Sequence, residues 1–395
     1  MAMITSAQDL TLRPVVAERA PRQSTLAIAN FDRVELPAIA AAWTGLAARS
    51  AEDNVYYAQN YVLPLLDTVE AKTPVRFITA WDGDKLMAFM PVVLNKRSIP
   101  GVLPAGRAWE SDYTFGCTPL LDRDNPGRAA QGLVDALADL GGGDWSLPHL
   151  NTEGPVWQAF TAALDRRNIP WLLNRPYTRA MLTCGKSFED HMQTYVGAKR
   201  RRELARNRRR LEGLGVVSHK SCSSGAGLEE AVETFLKLEA SGWKGRCGTA
   251  LACEPETADF ARRAFGPAAG PKATRADLLL LDDQPIAAGL IVFSGNTGFT
   301  VKGAYDETYA QYGAGLLLEV EVIKSFLEER WAGKLDAATN GAHVIDRLWP
   351  GRTSVGELVF SFARRAPRLR IAAYQNCQKW KAETKNWVKR AINRP

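Results

Sequence analysis

The sequence has no paired cysteines. Its six, at positions 117, 184, 222, 247, 253 and 377, are scattered, and no CxxC occurs in 395 residues. A disulfide framework is therefore not expected. His149, His191, His219 and His343 stand far apart, so no metal site is expected either. Long apolar runs are missing too. The longest nearly uncharged stretch, LPAIAAAWTGLAA (36–48), falls short of the roughly 20 residues a spanning helix needs. Residues 1–20 carry Asp9, Arg13, Glu18 and Arg19 without an apolar core, so no signal peptide is read there. The expected compartment is the cytoplasm, with a peripheral position on the inner face of the membrane left open.

Nucleotide and hydrolase signatures also fail. CGKSF (184–188) contains Gly-Lys-Ser, but Ala180 stands where a phosphate loop needs its first glycine. GAGLLL (313–318) lacks the third glycine of a dinucleotide fold, and no GxSxG occurs. Kinases, dehydrogenases and the common serine hydrolases leave the front rank.

What is present is an ordinary globular composition, 46% hydrophobic and 24% charged, in a length that suggests two domains. The formal charge of +7 comes from one place. KRRRELARNRRR (199–210) holds eight basic residues and one acidic, which alone gives +7. Leu204, Leu211 and Leu214 form a helical stripe between those arginines, so the segment reads as a helix with an electrostatic seat for phosphate or simply as a solvated linker.

Two stretches two hundred residues apart share one pattern. FITAWDGDKLMAFMPVVL (77–94) and LLLLDDQPIAAGLIVF (278–293) each run apolar, turn on acidic residues and run apolar again, as β-hairpins buried on both faces. The pattern predicts a duplicated α/β unit. Around the second hairpin the order is legible: helices over 228–243 and 256–265, strands over 297–306, 334–339 and 357–363, and a helix from about 314 to 330. Between strand and helix lies the turn YAQYGAG (309–315), where glycines and free backbone N–H groups make a natural anion seat. In the first half the matching region (109–137) has Pro119 and DRDNPG between glycine and helix, so its cradle is expected to be lost.

The arrangement resembles the GNAT superfamily of acyltransferases, which seats the pyrophosphate of acyl-coenzyme A on this turn with the signature [RQ]-x-x-G-x-[GA]. Gln311 matches its first position, but Ala314 stands three residues later, followed by Gly315. The resemblance is closer to the tandem, Fem-like branch, which includes CelD-like proteins. It rests on RRELARNRRRLEGLG (201–215), LEASGWKGRCGTAL (238–251), KGAYDETYAQYGAGLLLE (302–319) and LDAATNGA (335–342), in that order. The fold class it implies is α/β (α+β): two tandem GNAT-like domains, each with a mixed, mostly antiparallel sheet flanked by helices. The expected division is a flexible N-terminus (1–25), a degenerate first domain (26–185), the basic helix (186–214) and an acyltransferase domain with a basic amphipathic tail (215–395).

The resemblance implies acyl-CoA as co-substrate, with no permanently bound cofactor and no metal. Gln311, Tyr312, Gly313, Ala314, Gly315 and Leu316 are the expected coenzyme A seat. Transfer to an amine needs a base for its proton and an acid for the leaving thiolate. Asp306 is the first candidate base, with Glu307, Asp336 and His343 behind it; Asp306 also reads as a turn or capping aspartate, and a lone histidine such as His343 as a bystander. Tyr309 is a candidate acid, alongside Tyr305 and Tyr312. Many simple family members carry the acid tyrosine after the helix, whereas here none follows Tyr312 until Tyr374. Glu239, Trp243, Lys244, Lys302 and Tyr305 are the expected acceptor-binding set, and core packing is the plain alternative.

In QKWKAETKNWVKRAI (378–392), Trp380, Thr384, Trp387, Val388 and Ala391 share one face, with Lys379, Lys381, Lys385 and Lys389 beside and behind it. The helix suits an anionic membrane surface or docking on its own domain. The implied function is N-acylation of a cell-envelope amine, either a lipid amine such as a sphingoid base or an amino sugar, by direct transfer in a ternary complex. Two alternatives stay open: a non-catalytic binder of anionic surfaces or nucleic acid, and a Fem-like aminoacyl transferase using charged tRNA. Nucleic acid is not expected in the leading reading, since no recognised module is present.

Overall fold

The computed structural model describes residues 26–392 except 141, 142 and 342, with side chains described to residue 384. The N-terminus expected to be flexible (1–25) lies outside that description, as do the side chains of Lys385, Trp387, Val388, Lys389 and Ala391 in the tail.

The first half opens with β1 (Ala27–Phe31), α1 (Ala40–Ala48) and α2 (Gln59–Asp67), then the hairpin β2 (Val75–Asp82) and β3 (Lys85–Leu94). It continues through β4 (Gly106–Ala108), β5 (Leu120–Leu121), α3 (Pro126–Asp139), β6 (Asp144–Asn151), α4 (Pro155–Arg166) and β7 (Trp171–Thr183). Helices α5 (Phe188–Tyr195) and α6 (Ala198–Glu212) lead into the second half. There the chain forms β8 (Val217–Cys222), α7 (Gly225–Ser241), α8 (Trp243–Arg246), α9 (Pro255–Phe265), the hairpin β9 (Thr274–Leu281) and β10 (Gln284–Ser294), and β11 (Thr297–Tyr305). It ends with α10 (Ala314–Glu329), β12 (Lys334–Asp336), β13 (Gly351–Ser361) and α11 (Pro367–Ile392).

The strands form one sheet in the order β1-β2-β3-β4-β6-β13-β7-β12-β11-β10-β9-β8, with β5 attached to β3. The order is a near palindrome. β4 and β6 pair in parallel, as do β11 and β12. At the centre the halves exchange their last strands: β13 pairs with β6 of the first half, and β7 pairs with β12 of the second. Duplication read from two hairpins thus extends to the whole sheet. Both hairpin turns bend on left-handed residues, Gly83 at φ 58° and the pair Asp282 and Asp283 at φ 46° and 63°. Two-residue turns of that hand match strand twist, and Asp282 is held there by accepting from the Val216 N–H at 2.7 Å.

A shared aromatic core joins the halves. Tyr56 meets Phe299 at 5.6 Å between centroids and Tyr61 meets Phe260 at 5.5 Å, all buried. Three sequence expectations need correction. Leu214 lies past the end of α6 and is 52% exposed, leaving Leu204 and Leu211 as the buried stripe. The strand expected over 334–339 stops at Asp336, because Ala338 turns left-handed (φ 48°). The strand expected over 357–363 begins earlier, at Gly351, since polar Arg352, Thr353 and Ser354 carry its pairing with β7.

The tail divides. Ile371 and Tyr374 are buried, and Arg370 pairs with Asp144 at 3.0 Å, so the start of α11 docks on the sheet. Trp380 is 66% exposed.

Candidate active site

β11 and β12 pair from Thr297 to Phe299 against Lys334 to Asp336, then part. The parting is built in twice. β11 carries a bulge at Val301, where its register with β10 shifts between Leu290 and Ile291, and bulges bend a strand away from its neighbour. On the other side the chain turns off at Ala338. A fork opens between them, and at its mouth β11 runs into a short 3-10 turn, Glu307–Tyr312.

That turn ends on Gly313, left-handed at φ 66° and ψ 41°, which is also the N-cap of α10. A side chain is disfavoured at this backbone angle, and a β-carbon would come within 3.4 Å of Asn207 Nδ2 on α6. The Gly313 carbonyl accepts from the Leu316 and Leu317 N–H groups at 2.9 and 3.0 Å. The Ala314 and Gly315 N–H groups point out of a sixteen-residue helix with no side-chain cap, so the helix dipole adds to them. A β-carbon on Gly315 would sit 3.3 Å from the Tyr305 ring. The two glycines therefore let the turn close against Asn207 and Tyr305.

The basic helix lies alongside this mouth. Leu204 and Leu211 anchor α6, and Arg208 ties it to α10 through Glu321 at 2.5 Å while also pairing with Glu212. The Arg210 guanidinium stands 5.0 Å over the Tyr312 ring. Arg201 is spent on the carbonyls of Met192, Gln193 and Val196, and Arg200 on Glu203. Arg206, Arg209 and Arg210 pair with no carboxylate among the described residues, and Arg209 and Arg210 are exposed. The mouth thus combines a helix N-terminus with a positive flank, which together favour a phosphate.

The acceptor-side residues also come together. Glu239 is buried and accepts from Lys244 Nζ at 2.8 Å and from the Leu251 N–H at 2.8 Å, with Lys302 Nζ at 3.7 Å. Burial lowers the Lys302 ammonium below its ordinary value, with Lys244 adding to the effect and Glu239 opposing it. Lys302 also lies 5.6 Å over the ring of Tyr113, which comes from the first half. Trp243, Lys244, Tyr305 and Glu307 line a narrow cleft here. Trp243 is 53% exposed and Tyr305 39%, so both present apolar surface to solvent rather than filling the core.

The base candidates separate. Glu307 accepts from Arg246 at 2.7 Å and from the Trp243 N–H at 2.8 Å, which together hold it below the usual carboxylate range. Asp336 is buried and clamped by Arg179, with Nε 2.8 Å from Oδ1 and Nη2 2.8 Å from Oδ2, and it also accepts from the Ala338 N–H. A carboxylate so held is a structural partner rather than a free base. His343 caps the short turn Val344–Arg347 in a reciprocal box with Asp346, exposed and at the far end of the loop from β12. Asp306 caps the 3-10 turn through Oδ1, which accepts from Thr308 N–H and Oγ1. Its Oδ2 has no protein partner among the described residues. Tyr309 and Tyr312 are half-buried side by side, 6.4 Å apart, and Gln311 and Leu316 flank the mouth, the first exposed.

Sequence reasoning missed Arg179 and everything that reaches the fork from the first half. Arg179 is buried, donates to the Phe115 carbonyl and grips Asp336. Tyr56 brings a buried hydroxyl, without a hydrogen-bond partner among the described residues, into the field of the same pair. These contacts cross more than 60 residues of chain, and no local pattern announces them. Among the described residues no group of His, Cys, Asp and Glu is arranged to hold a metal, and no helix is long and apolar enough to cross a membrane.

Comparison with known proteins comes to the same fold. Residues 198–340 match the family model of the acetyltransferase (GNAT) domain. The structure is similar to that of FemX, with a TM-score of 0.55 and 10% identity over 81% of this chain and 95% of that one. A protein of unknown function from Bacteroides thetaiotaomicron is similar at TM-score 0.53 and 12% identity, over 82% and 96%. So is a C-terminal domain assigned to a lysylphosphatidylglycerol synthetase of Agrobacterium fabrum, at 0.51 and 11%, over 86% and 95%. No curated protein matches the chain in sequence.

Proposed function

We propose that this tandem GNAT-fold protein, whose residues 198–340 belong to the acetyltransferase (GNAT) domain family, transfers an acyl group from acyl-coenzyme A to an amine. The observation that carries this reading is the mouth of the second fork, where the uncapped N-terminus of α10 meets the unpaired arginines of α6. The pyrophosphate would rest on the Ala314 and Gly315 N–H groups, and the thioester would lie between β11 and β12.

The amine enters from the cleft beside Lys302 and Trp243, and Asp306 takes its proton through Oδ2. Glu239, with its two lysines, fixes the cleft wall rather than reacting. Transfer is direct, since no nucleophile stands at the fork among the described residues. The acceptor is an envelope amine, an amino sugar or an amphiphilic lipid amine. Exposed Trp380 on a basic helix leans toward the lipid, with the inner face of the membrane as the working location. Native mass spectrometry with acetyl- through palmitoyl-CoA tests the donor: retention of one chain length supports the reading, and failure to retain any acyl-CoA overturns it.

A second reading is aminoacyl transfer from a charged tRNA, favoured by Arg206, Arg209 and Arg210 on one helix without carboxylate partners among the described residues. Salt-sensitive tRNA binding without acyl-CoA binding would favour it.

A further inference from the structure

His149 stands within β6 with a left-handed backbone, φ 54°. A residue with a β-carbon keeps such a strained conformation only where its surroundings impose it. The register supplies the cause. β13 pairs Gly356 with Leu150 and Leu358 with Leu147, so Pro148 and His149 both face the place of Glu357. On its other side β13 pairs Val355 with Tyr177 and Glu357 with Asn174, so Arg175 (φ 49°) and Pro176 both face the place of Gly356. Two bulges flank one point of the central strand, and bulges re-aim side chains.

They aim these at one another. His149 Nε2 lies 3.4 Å from Glu110 Oε2, and His149 Nδ1 lies 2.9 Å from the Tyr177 hydroxyl. That hydroxyl donates to Asn340 Oδ1 at 3.4 Å, on the loop that leaves β12. Two residues further along β7, and so on the same face, Arg179 grips Asp336 at the second fork. A line of polar groups therefore runs from the first half's fork, where Glu110 follows β4, to the second half's. His149 is 21% exposed, which lets its ring exchange protons with water.

The charged groups facing this line are Arg107, Arg175, Arg179 and Asp336. Burial alone would raise the Glu110 carboxyl, but His149, Arg107 and Arg175 hold it below the usual range. Burial pushes the Tyr177 hydroxyl up to about 12 against the pull of Arg179, so it is a donor at neutral pH. Tyr374, the next tyrosine after α10, is no competitor: it is buried and donates to Glu357 at 2.9 Å.

We propose that the first half completes the transfer centre through these residues: Tyr177 gives its hydroxyl proton to the departing coenzyme A sulfur, His149 replaces it, and Glu110 steadies the histidine. The proposal rests on the acyl-coenzyme A reading above. The amine nitrogen bonds the carbonyl carbon and loses one proton to Asp306. The carbon–sulfur bond breaks with its electron pair on sulfur, which takes the Tyr177 proton. His149 passes its Nδ1 proton to Tyr177, and water restores both His149 and Asp306. Protons lost by the amine equal those gained by the thiol.

The test needs no amine. Full-length protein is saturated with coenzyme A or its desulfo analogue, and the thiolate absorbance difference is followed against pH. A hydroxyl donating to the sulfur stabilises the thiolate, so the bound thiol should ionise at a proton concentration about tenfold higher than the free thiol. Tyr177→Phe and His149→Gln should each remove most of that shift while coenzyme A still binds. A bound thiol that titrates like the free one, or variants that leave the shift intact, would overturn the relay alone. Failure of the wild type to bind coenzyme A would overturn the underlying reading and the relay with it. Should Tyr177→Phe not fold, His149→Gln and Glu110→Gln decide.

Discussion

β4 and β6 in the first half, and β11 and β12 in the second, run parallel for two or three residue pairs and then separate. The strand order around them is the same, yet the chain leaves each fork differently. After β11 it needs only one short turn and a left-handed glycine to reach α10, whose first N–H groups have no side-chain cap among the described residues. After β4 it wanders through β5 before reaching α3, where Pro126 at the first helical turn removes an N–H and Arg128 is tied to Asp82. Neither helix has a side-chain cap among the described residues, but Pro126 leaves α3 one N–H fewer. In the reading proposed above the second fork carries the anion seat, while the first carries Glu110 and His149.

Substitutions on either side test this contrast. The largest effect is expected where the halves are stitched together. Arg179→Leu leaves Asp336 buried without its cation, which costs about 3–5 kcal/mol. Chemical denaturation should show that loss, whereas Asp135→Ala would give less information, since Asp135 belongs to an ion pair with Arg167 confined to the first half.

Next comes Asp306→Asn. Asparagine caps the turn as well as aspartate, so the fold and coenzyme A affinity should hold within about twofold. Turnover should fall about a hundredfold at neutral pH, the scale of a lost general base. Full turnover would release Asp306 from that role.

The helices after the forks also differ in their inward-facing acids. In α3 buried Asp135 has Arg167, but in α10 half-buried Glu319 has, among the described residues, the Trp349 indole N–H at 2.8 Å and no cation. Burial pushes Glu319 up to about 8 from 4.5. The folded state then keeps a proton that the unfolded chain loses between those pH values. The stabilisation is whole below 4.5 and drains away as pH rises toward 8. Glu319→Gln should therefore raise the melting temperature at pH 8, by a gain on the order of 2 kcal/mol, and change little at pH 4. An equal change at both would mean that Glu319 ionises freely in the fold.

A smaller effect belongs to the basic helix. Arg209→Glu with Arg210→Glu should weaken coenzyme A binding about tenfold at low salt, and the loss should shrink as salt screens it. A loss that salt leaves untouched would point to damaged packing instead.

The range of each interaction determines how much of the molecule is legible in the sequence. The hairpins, α7, α9, α10, the basic helix and the glycine turn are local patterns of apolar period and turn residues, and the sequence carries them openly. So does the adjacency of Lys302, Tyr305 and Asp306, which sit at the end of one strand. The exchange of β7 and β13 is not legible: it depends on which of several similar strands finds which edge. Arg179, His149 and Tyr177 escape notice for the same reason, since their partners lie on other strands of the exchanged centre. Asp336 stands out for its place at a strand end, but its burial against Arg179 changes what it can do.

The two helix starts give the sharpest test. Gly315→Asp and Gly127→Asp place the same charge and side chain at equivalent turns, and Gly127 has open space for it. Calorimetry with coenzyme A should show affinity lost by about a hundredfold or more for Gly315→Asp, from the added anion and the crowding against Tyr305, and unchanged for Gly127→Asp. Unchanged affinity in folded Gly315→Asp, or equal losses in both, would contradict the assignment of the anion seat to the second fork.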